Sequence, residues 1–170
     1  MTLHNKQPAC IALAGPIGSS KTPIATYLGY KLQIPVFSND VIRKEVIEDL
    51  GVLDNEAYKK RRDERLSWLI KNHLTFIYSS SIDRSWNELC KELGDEGYRW
   101  FVISLDLSEG FVTKLCQTKR YHDSLKYIDQ NIKEHEKFVS QYEKDINLHI
   151  TDKDFSERIT LSYNAVRKWL

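Results

Sequence analysis

The 170-residue chain has no excess of either charge: 25 basic and 24 acidic residues leave a formal net charge of +1. Its composition therefore provides neither an extended nucleic-acid path nor a membrane-binding surface. Cysteine is scarce. Cys10, Cys90 and Cys116 are odd in number, far apart and without metal-type spacing, which argues against a disulfide framework and points to a reducing compartment. No apolar run reaches the ~18 residues of a membrane span, and the N-terminal MTLHNKQP has no apolar signal core, so a cytoplasmic location is expected. The histidines, His4, His73, His122, His135 and His149, are scattered without ligand spacing, and no metal site is expected from them. There is no repeat, low-complexity tract or linker. The hydrophobic fraction of 41% and aromatic content of 11% fit one globular domain over residues 1–170.

Hydrophobic patterning alternates between strand and helix. Residues 9–14 (ACIALA) are small or apolar at every position, as in a central parallel strand covered on both faces. A helix is expected over 21–32, its start fixed near Ser20 by Pro23, which is tolerated only in a first turn. A short strand at 34–37 follows, then Ser38-Asn39 as capping chemistry for a helix with Ile42, Val46 and Leu50 inward and Gly51 as its stop. A helix over 55–72 carries KKRRDER as a solvated face. Strands are expected at 74–78, 100–107 and 146–150, with helices at 83–93, 108–116 and 125–142 and a polar break at 118–124. The last helix opens with Asp154 and Glu157 at capping-box spacing. Tyr98, Trp100 and Trp169 are expected in the core. The pattern predicts an α/β sandwich with a mainly parallel sheet of five strands.

Chemistry gathers at the end of the first strand. The stretch GPIGSSKT follows the Walker A pattern G-x-x-x-x-G-K-[ST] through Gly15, Lys21 and Thr22, with Ser20 in place of the last glycine. The candidate phosphate-binding residues are Gly15, Pro16, Ile17, Gly18, Ser19, Ser20, Lys21 and Thr22. Backbone N–H groups of such a loop converge on an anion at the positive end of a helix dipole. A Cβ at position 20 would crowd that approach. A second constellation, Asp40 and Arg43, lies three residues apart at a helix start, beyond the C-terminal end of the second strand. Ligands bind at that edge in open α/β sheets.

GPIGSSKT followed by VFSNDVIRKEV resembles the P-loop kinases of the predicted AAA-type kinase group, which is similar to the kinase domain of phage polynucleotide kinase and to zeta toxins. IDRSWNEL, YRWFVISLDLS and KRYHDS fall in the same order as in that group. The resemblance implies a three-layer sandwich, a parallel sheet of order 2-3-1-4-5 and a helical lid, here about residues 114–126. It implies ATP and Mg²⁺ as cofactors, with Lys21 on the β- and γ-phosphates and Thr22 and Asp40 as magnesium ligands. Asp40 would activate the acceptor hydroxyl, Arg43 would hold acceptor or phosphate, and Arg120 would be the lid cation ahead of Lys114 and Lys119. One departure matters: where the group commonly has IIDASIDR, this chain reads FIYSSSIDR, with Ser79 in the acid's place. Asp83 is then either a substitute or a helix cap, and the cap is the expectation.

The expected function is ATP-dependent transfer of the γ-phosphate to a hydroxyl of a small molecule or a nucleic-acid end. Near-neutral charge favours the small molecule. Two alternatives stay open, a nucleotide-binding module without transfer and a simple NTP hydrolase. Nothing in the sequence bears on oligomeric state.

Overall fold

A computed structural model of the chain describes residues 7–170; His4 and nearly all of the N-terminal stretch read above lie outside the described residues. Five strands, β1 (Ala9–Ala14), β2 (Val36–Phe37), β3 (Phe76–Ser81), β4 (Arg99–Asp106) and β5 (Ile146–Thr151), form one sheet of order β2-β3-β1-β4-β5. Every pairing is parallel. Helices cover both faces. On one side α2 (Asn39–Leu50), α3 (Asn55–Lys71), α4 (Trp86–Asp95) and the far end of α7 (Ile128–Tyr142) enclose Cys10, Ala12 and Ala14. On the other, α1 (Lys21–Leu32), α5 (Glu109–Thr118) and α8 (Arg158–Trp169) enclose Ile11 and Leu13. Alternate residues of β1 thus face two separate cores, which is why the strand has no polar face. Between α5 and α7 lies the short α6 (His122–Leu125), overlapping the end of the expected polar break. No helix among the described residues is long and apolar enough to cross a membrane.

The differences from expectation have local causes. β2 shortens to two residues because Pro35 has no N–H and the Ile34 amide turns back to the Gly29 carbonyl at 3.2 Å. Ser38 is the N-cap of α2 but makes no side-chain cap bond, and Leu50, expected inward, is 52% exposed. Gly51 ends the helix at φ 73°, its amide on the Ile47 carbonyl at 2.8 Å. Arg61 and Arg65 of KKRRDER pair with Asp49 and Glu45 of α2, so that face is solvated and ion-paired. β3 runs through three serines to Ser81. The expected capping box at Asp154 is absent: its carboxylate binds the Thr151 amide and hydroxyl at 3.0 and 2.6 Å, a 3₁₀ turn follows, and α8 begins only at Arg158. Tyr98 is buried, while Trp100 and Trp169 are half-buried against the cores.

Candidate active site

The loop between β1 and α1 is built from its glycines outward. Gly15 has φ 142° and Gly18 has φ 86°, and a Cβ on Gly18 would lie 2.4 Å from the Cys116 Sγ of α5. Only glycine has both the backbone freedom and the space there. Neither glycine of this cradle has room for a side chain, and Thr22, in the first helical turn beside it, is exposed. Lys21 folds back over the cradle, donating to the Gly15 carbonyl at 2.7 Å, the Pro16 carbonyl at 2.8 Å and the Ser19 hydroxyl at 3.2 Å. Enclosure of this ammonium lowers its pKa to about 8, against the pull of the Asp83 and Asp40 carboxylates. A phosphate there would replace three neutral acceptors with charged oxygens, a stronger partner for the same ammonium.

Ser20 takes the conformation expected of the missing glycine, φ 72°, and is buried. Its hydroxyl accepts from Lys119 Nζ at 2.6 Å, and the same ammonium donates to the Gly18 carbonyl at 2.8 Å. The substitution carries left-handed strain at a residue with a Cβ, and in return it provides an acceptor that ties the end of α5 to the loop. The cation that reaches the loop is therefore Lys119, not Arg120. Arg120 has φ 58° and is exposed, because the left-handed turn after α5 points the two side chains apart.

Asp83 does not cap α4; Ser85 is at the N-cap position. Its Oδ1 accepts the Gly15 amide at 3.0 Å, while Ser81 of β3 donates its hydroxyl to the Gly15 carbonyl at 3.0 Å. The Gly15 amide and carbonyl are thus both held by the end of β3 and the segment that follows it. From Asp83 a buried polar chain runs across the C-terminal edge of the sheet. Asp83 Oδ2 lies 3.2 Å from His135 Nδ1, and His135 Nε2 lies 2.9 Å from Asp106 Oδ1. Asp106 Oδ2 in turn faces His149 Nδ1 at 2.5 Å. Burial opposes charge in Asp83, His135 and Asp106, but the partners prevail. His135 rises to about 9 between its two carboxylates, and Asp106 falls to about 2 through His135, Ser104 and His149. Asp83 is held below the usual carboxylate range by His135, the Gly15 amide and Lys21. Asp106 and His135 also line a cleft of about 870 Å³ beside Ser108, Glu136, Thr151 and Lys153.

Asp40 and Arg43 lie together on the first turn of α2, paired at 2.9 Å, with side chains 74% and 44% exposed. The guanidinium also sits 4.7 Å over the Tyr58 ring. Ser79 is buried near the end of β3. The sequence reading missed His135, Asp106 and His149, and ranked Lys119 behind Arg120. Their only local signal was the acid closing a buried strand in WFVISLD.

No family model and no curated protein matches the sequence. Solved structures do match it. The chain is similar to a gluconokinase from Sinorhizobium meliloti 1021, with TM-score 0.64 and 13% identity over 97% of this chain and 95% of that one. It is similar to a deoxyadenosine kinase from M. mycoides, with TM-score 0.60 and 17% identity over 94% and 99%. The fold is that of the P-loop kinases. A chain of the PezAT chromosomal toxin–antitoxin system of Streptococcus pneumoniae is a further neighbour, with TM-score 0.59 and 17% identity over 82% of this chain and 64% of that one. At these identities the likeness is one of fold. Within the P-loop kinase fold, Gly15, Lys21, Asp83 and Asp106 all sit at or just beyond the C-terminal ends of β1, β3 and β4, and Asp40 just beyond β2.

Proposed function

We propose that the chain is an ATP-dependent phosphotransferase that moves the γ-phosphate to a hydroxyl, on a small molecule in preference to a nucleic-acid end, and that it is closest in kind to the AAA-type P-loop kinases its motifs resemble. The observation that carries this reading is Lys21, folded onto the carbonyls of a glycine cradle with the exposed Thr22 beside it. Phosphoryl transfer is mainly positioning and charge neutralisation. Lys21 and the loop amides would hold the β- and γ-phosphates, and Thr22 and Asp40 are the residues that would hold magnesium. That ion, when bound, neutralises charge on the phosphates.

The acceptor oxygen attacks the γ-phosphorus, the bond to the β,γ-bridging oxygen breaks, and ADP leaves. The acceptor's proton goes to the Asp40 carboxylate, which is exposed and paired only with Arg43 among the described residues. Arg43 would swing from that ion pair to acceptor or phosphate. Arg120, exposed in the 114–126 segment, is the lid cation that would close over the transferring group, while Lys119 keeps the segment's root on the loop. The kinase names of the structural neighbours support the class, not the acceptor.

The test is phosphate transfer from ATP across a panel of hydroxyl acceptors, with Asp40→Asn beside the parent. Asp40→Asn is expected to lose about 10²- to 10⁴-fold in transfer rate with affinity for magnesium-free ATP unchanged. An active Asp40→Asn removes the proposed base. ADP release without acceptor would instead favour the NTP hydrolase, and binding without turnover the non-catalytic module.

A further inference from the structure

His135 stands between two carboxylates. Asp83, from the segment after β3, faces its Nδ1, and Asp106, at the end of β4, faces its Nε2. An ionised carboxylate only accepts hydrogen bonds, and a neutral imidazole has only one N–H. Both contacts are satisfied together only when both ring nitrogens carry protons. The surroundings favour that state. The Ser104 hydroxyl lies 3.4 Å from Nε2 and donates to Asp106, Phe138 stacks on the ring from the same helix, and His149 of β5 approaches the far side of Asp106. Arg84 and Glu134 pair with one another nearby, and Lys21 lies on the Asp83 side. No three His, Cys, Asp or Glu side chains among the described residues converge as a metal would require.

We propose that His135 is a positioning residue for the phosphate loop: as an imidazolium bridging Asp83 and Asp106, it fixes the carboxylate that holds the Gly15 amide, and so couples the loop to the far edge of the sheet. The bridge explains why an aspartate can sit beside a loop meant for polyanions. Its charge is matched by His135 and Lys21, and its free oxygen is turned to the ring and away from the cradle. When the proton leaves, one ring nitrogen presents a lone pair to a carboxylate, and Asp83 or Asp106 loses its donor. The raised pKa of His135, about 9, agrees with the geometry. The cleft lined by Asp106 and His135 gives solvent a route to the ring.

Nitrogen-resolved NMR of the full chain tests the coupling. Near neutral pH, both His135 ring nitrogens are expected in the protonated range. As the pH rises through about 9, the Gly15 amide proton should shift with the same midpoint as the ring. A single neutral tautomer near neutral pH, or a Gly15 resonance indifferent to the ring's titration, overturns the proposal. Asp83→Asn sharpens it: the amide oxygen still accepts from Gly15, and the amide N–H₂ supplies the donor that a neutral His135 needs. In that variant the ring should be neutral near neutral pH and Gly15 should no longer follow it; a ring still doubly protonated there contradicts the bridge. The wild-type titration decides the matter alone if Asp83→Asn fails to fold. For nucleotide, His135→Gln, which is uncharged and carries both its N–H donors on one nitrogen, should weaken ATP binding about tenfold; unchanged affinity overturns the link to the loop. This last consequence rests on the phosphate-loop reading. ATP with Mg²⁺ that leaves Gly15 and Lys21 unperturbed in wild type, while Gly15 still tracks the ring, would end that reading and leave the bridge standing.

Discussion

The two parts of the proposed site are built to opposite specifications. On the donor side, the first glycine's amide and carbonyl are both held, the lysine from β1's loop is packed on three acceptors, and Lys119 closes the loop from α5. On the proposed acceptor side, Asp40 and Arg43 have each other and the Tyr58 ring on an exposed helical turn. A loop that must present amides to a polyanion gains from being fixed before the ligand arrives. On the proposed reading, a base and a cation that meet a hydroxyl acceptor gain from freedom to adjust to it. The comparison predicts that changes on the donor side will cost stability and changes on the acceptor side will cost turnover alone.

The largest stability loss should come from Gly18→Ala. The new Cβ would meet Cys116 Sγ at 2.4 Å and sit at φ 86°, a combination of overpacking and left-handed strain of about 3 kcal/mol. Denaturant unfolding measures it. In a Cys116→Ala background most of the clash is relieved, so the cost should drop to about 1 kcal/mol, a non-additivity that identifies the contact. Equal costs in both backgrounds would show that the loop does not rest on α5.

The second prediction concerns alkaline pH. The folded-state pKa of His135 is raised from 6.5 to about 9, so its contribution to stability is fully present below 6.5 and is lost as the pH rises through 9. Lys21 works in the other direction, because its pKa is lowered from 10.5 to about 8 and its burial penalty lifts above that value. Unfolding measured in Lys21→Met isolates the first effect and should show stability falling across the window from 6.5 to 9. A flat profile there would mean His135 is not charged in the folded protein.

How much of this could be read from the sequence depends on separation along the chain. β1, the loop and the start of α1 are contiguous, and each residue type is dictated by its neighbours, so strand, cradle and lysine are visible together. Strand order followed from the motifs' resemblance. The buried chain was hidden because its members are 52 and 29 residues apart and meet only where α7 packs across the ends of β3 and β4. His135 falls on the buried stripe of α7 with Asn131 and Phe138, where periodicity reads it as core. Asp83 precedes a strongly amphipathic helix and so looks like its cap, although Ser85 has that position. Lys119 and Arg120 are adjacent, and only the left-handed turn at Arg120 decides which one faces the loop.

Ser20→Gly is a smaller test of the same point. It removes left-handed strain of about 1 kcal/mol and also the hydroxyl that accepts from Lys119 at 2.6 Å, worth about 1 kcal/mol. Net stability should barely move and transfer activity should not rise. A clear gain in activity would show Ser20 to be a defect, not an accommodated residue. Smallest of all, Asp40→Asn should change stability by less than about 0.5 kcal/mol, because the pair it breaks is exposed. A larger loss would mean that the acceptor turn is as fixed as the donor loop.

The central claim is that the cradle around Lys21 binds the phosphates of a nucleotide. Calorimetric titration of the folded chain with ATP and Mg²⁺, beside Lys21→Met, tests it most directly. The account predicts saturable heat and a raised melting temperature in wild type, with affinity reduced about a hundredfold in Lys21→Met. A folded wild type that gives neither heat nor stabilisation at saturating nucleotide, or a Lys21→Met variant that binds as well as wild type, would contradict it.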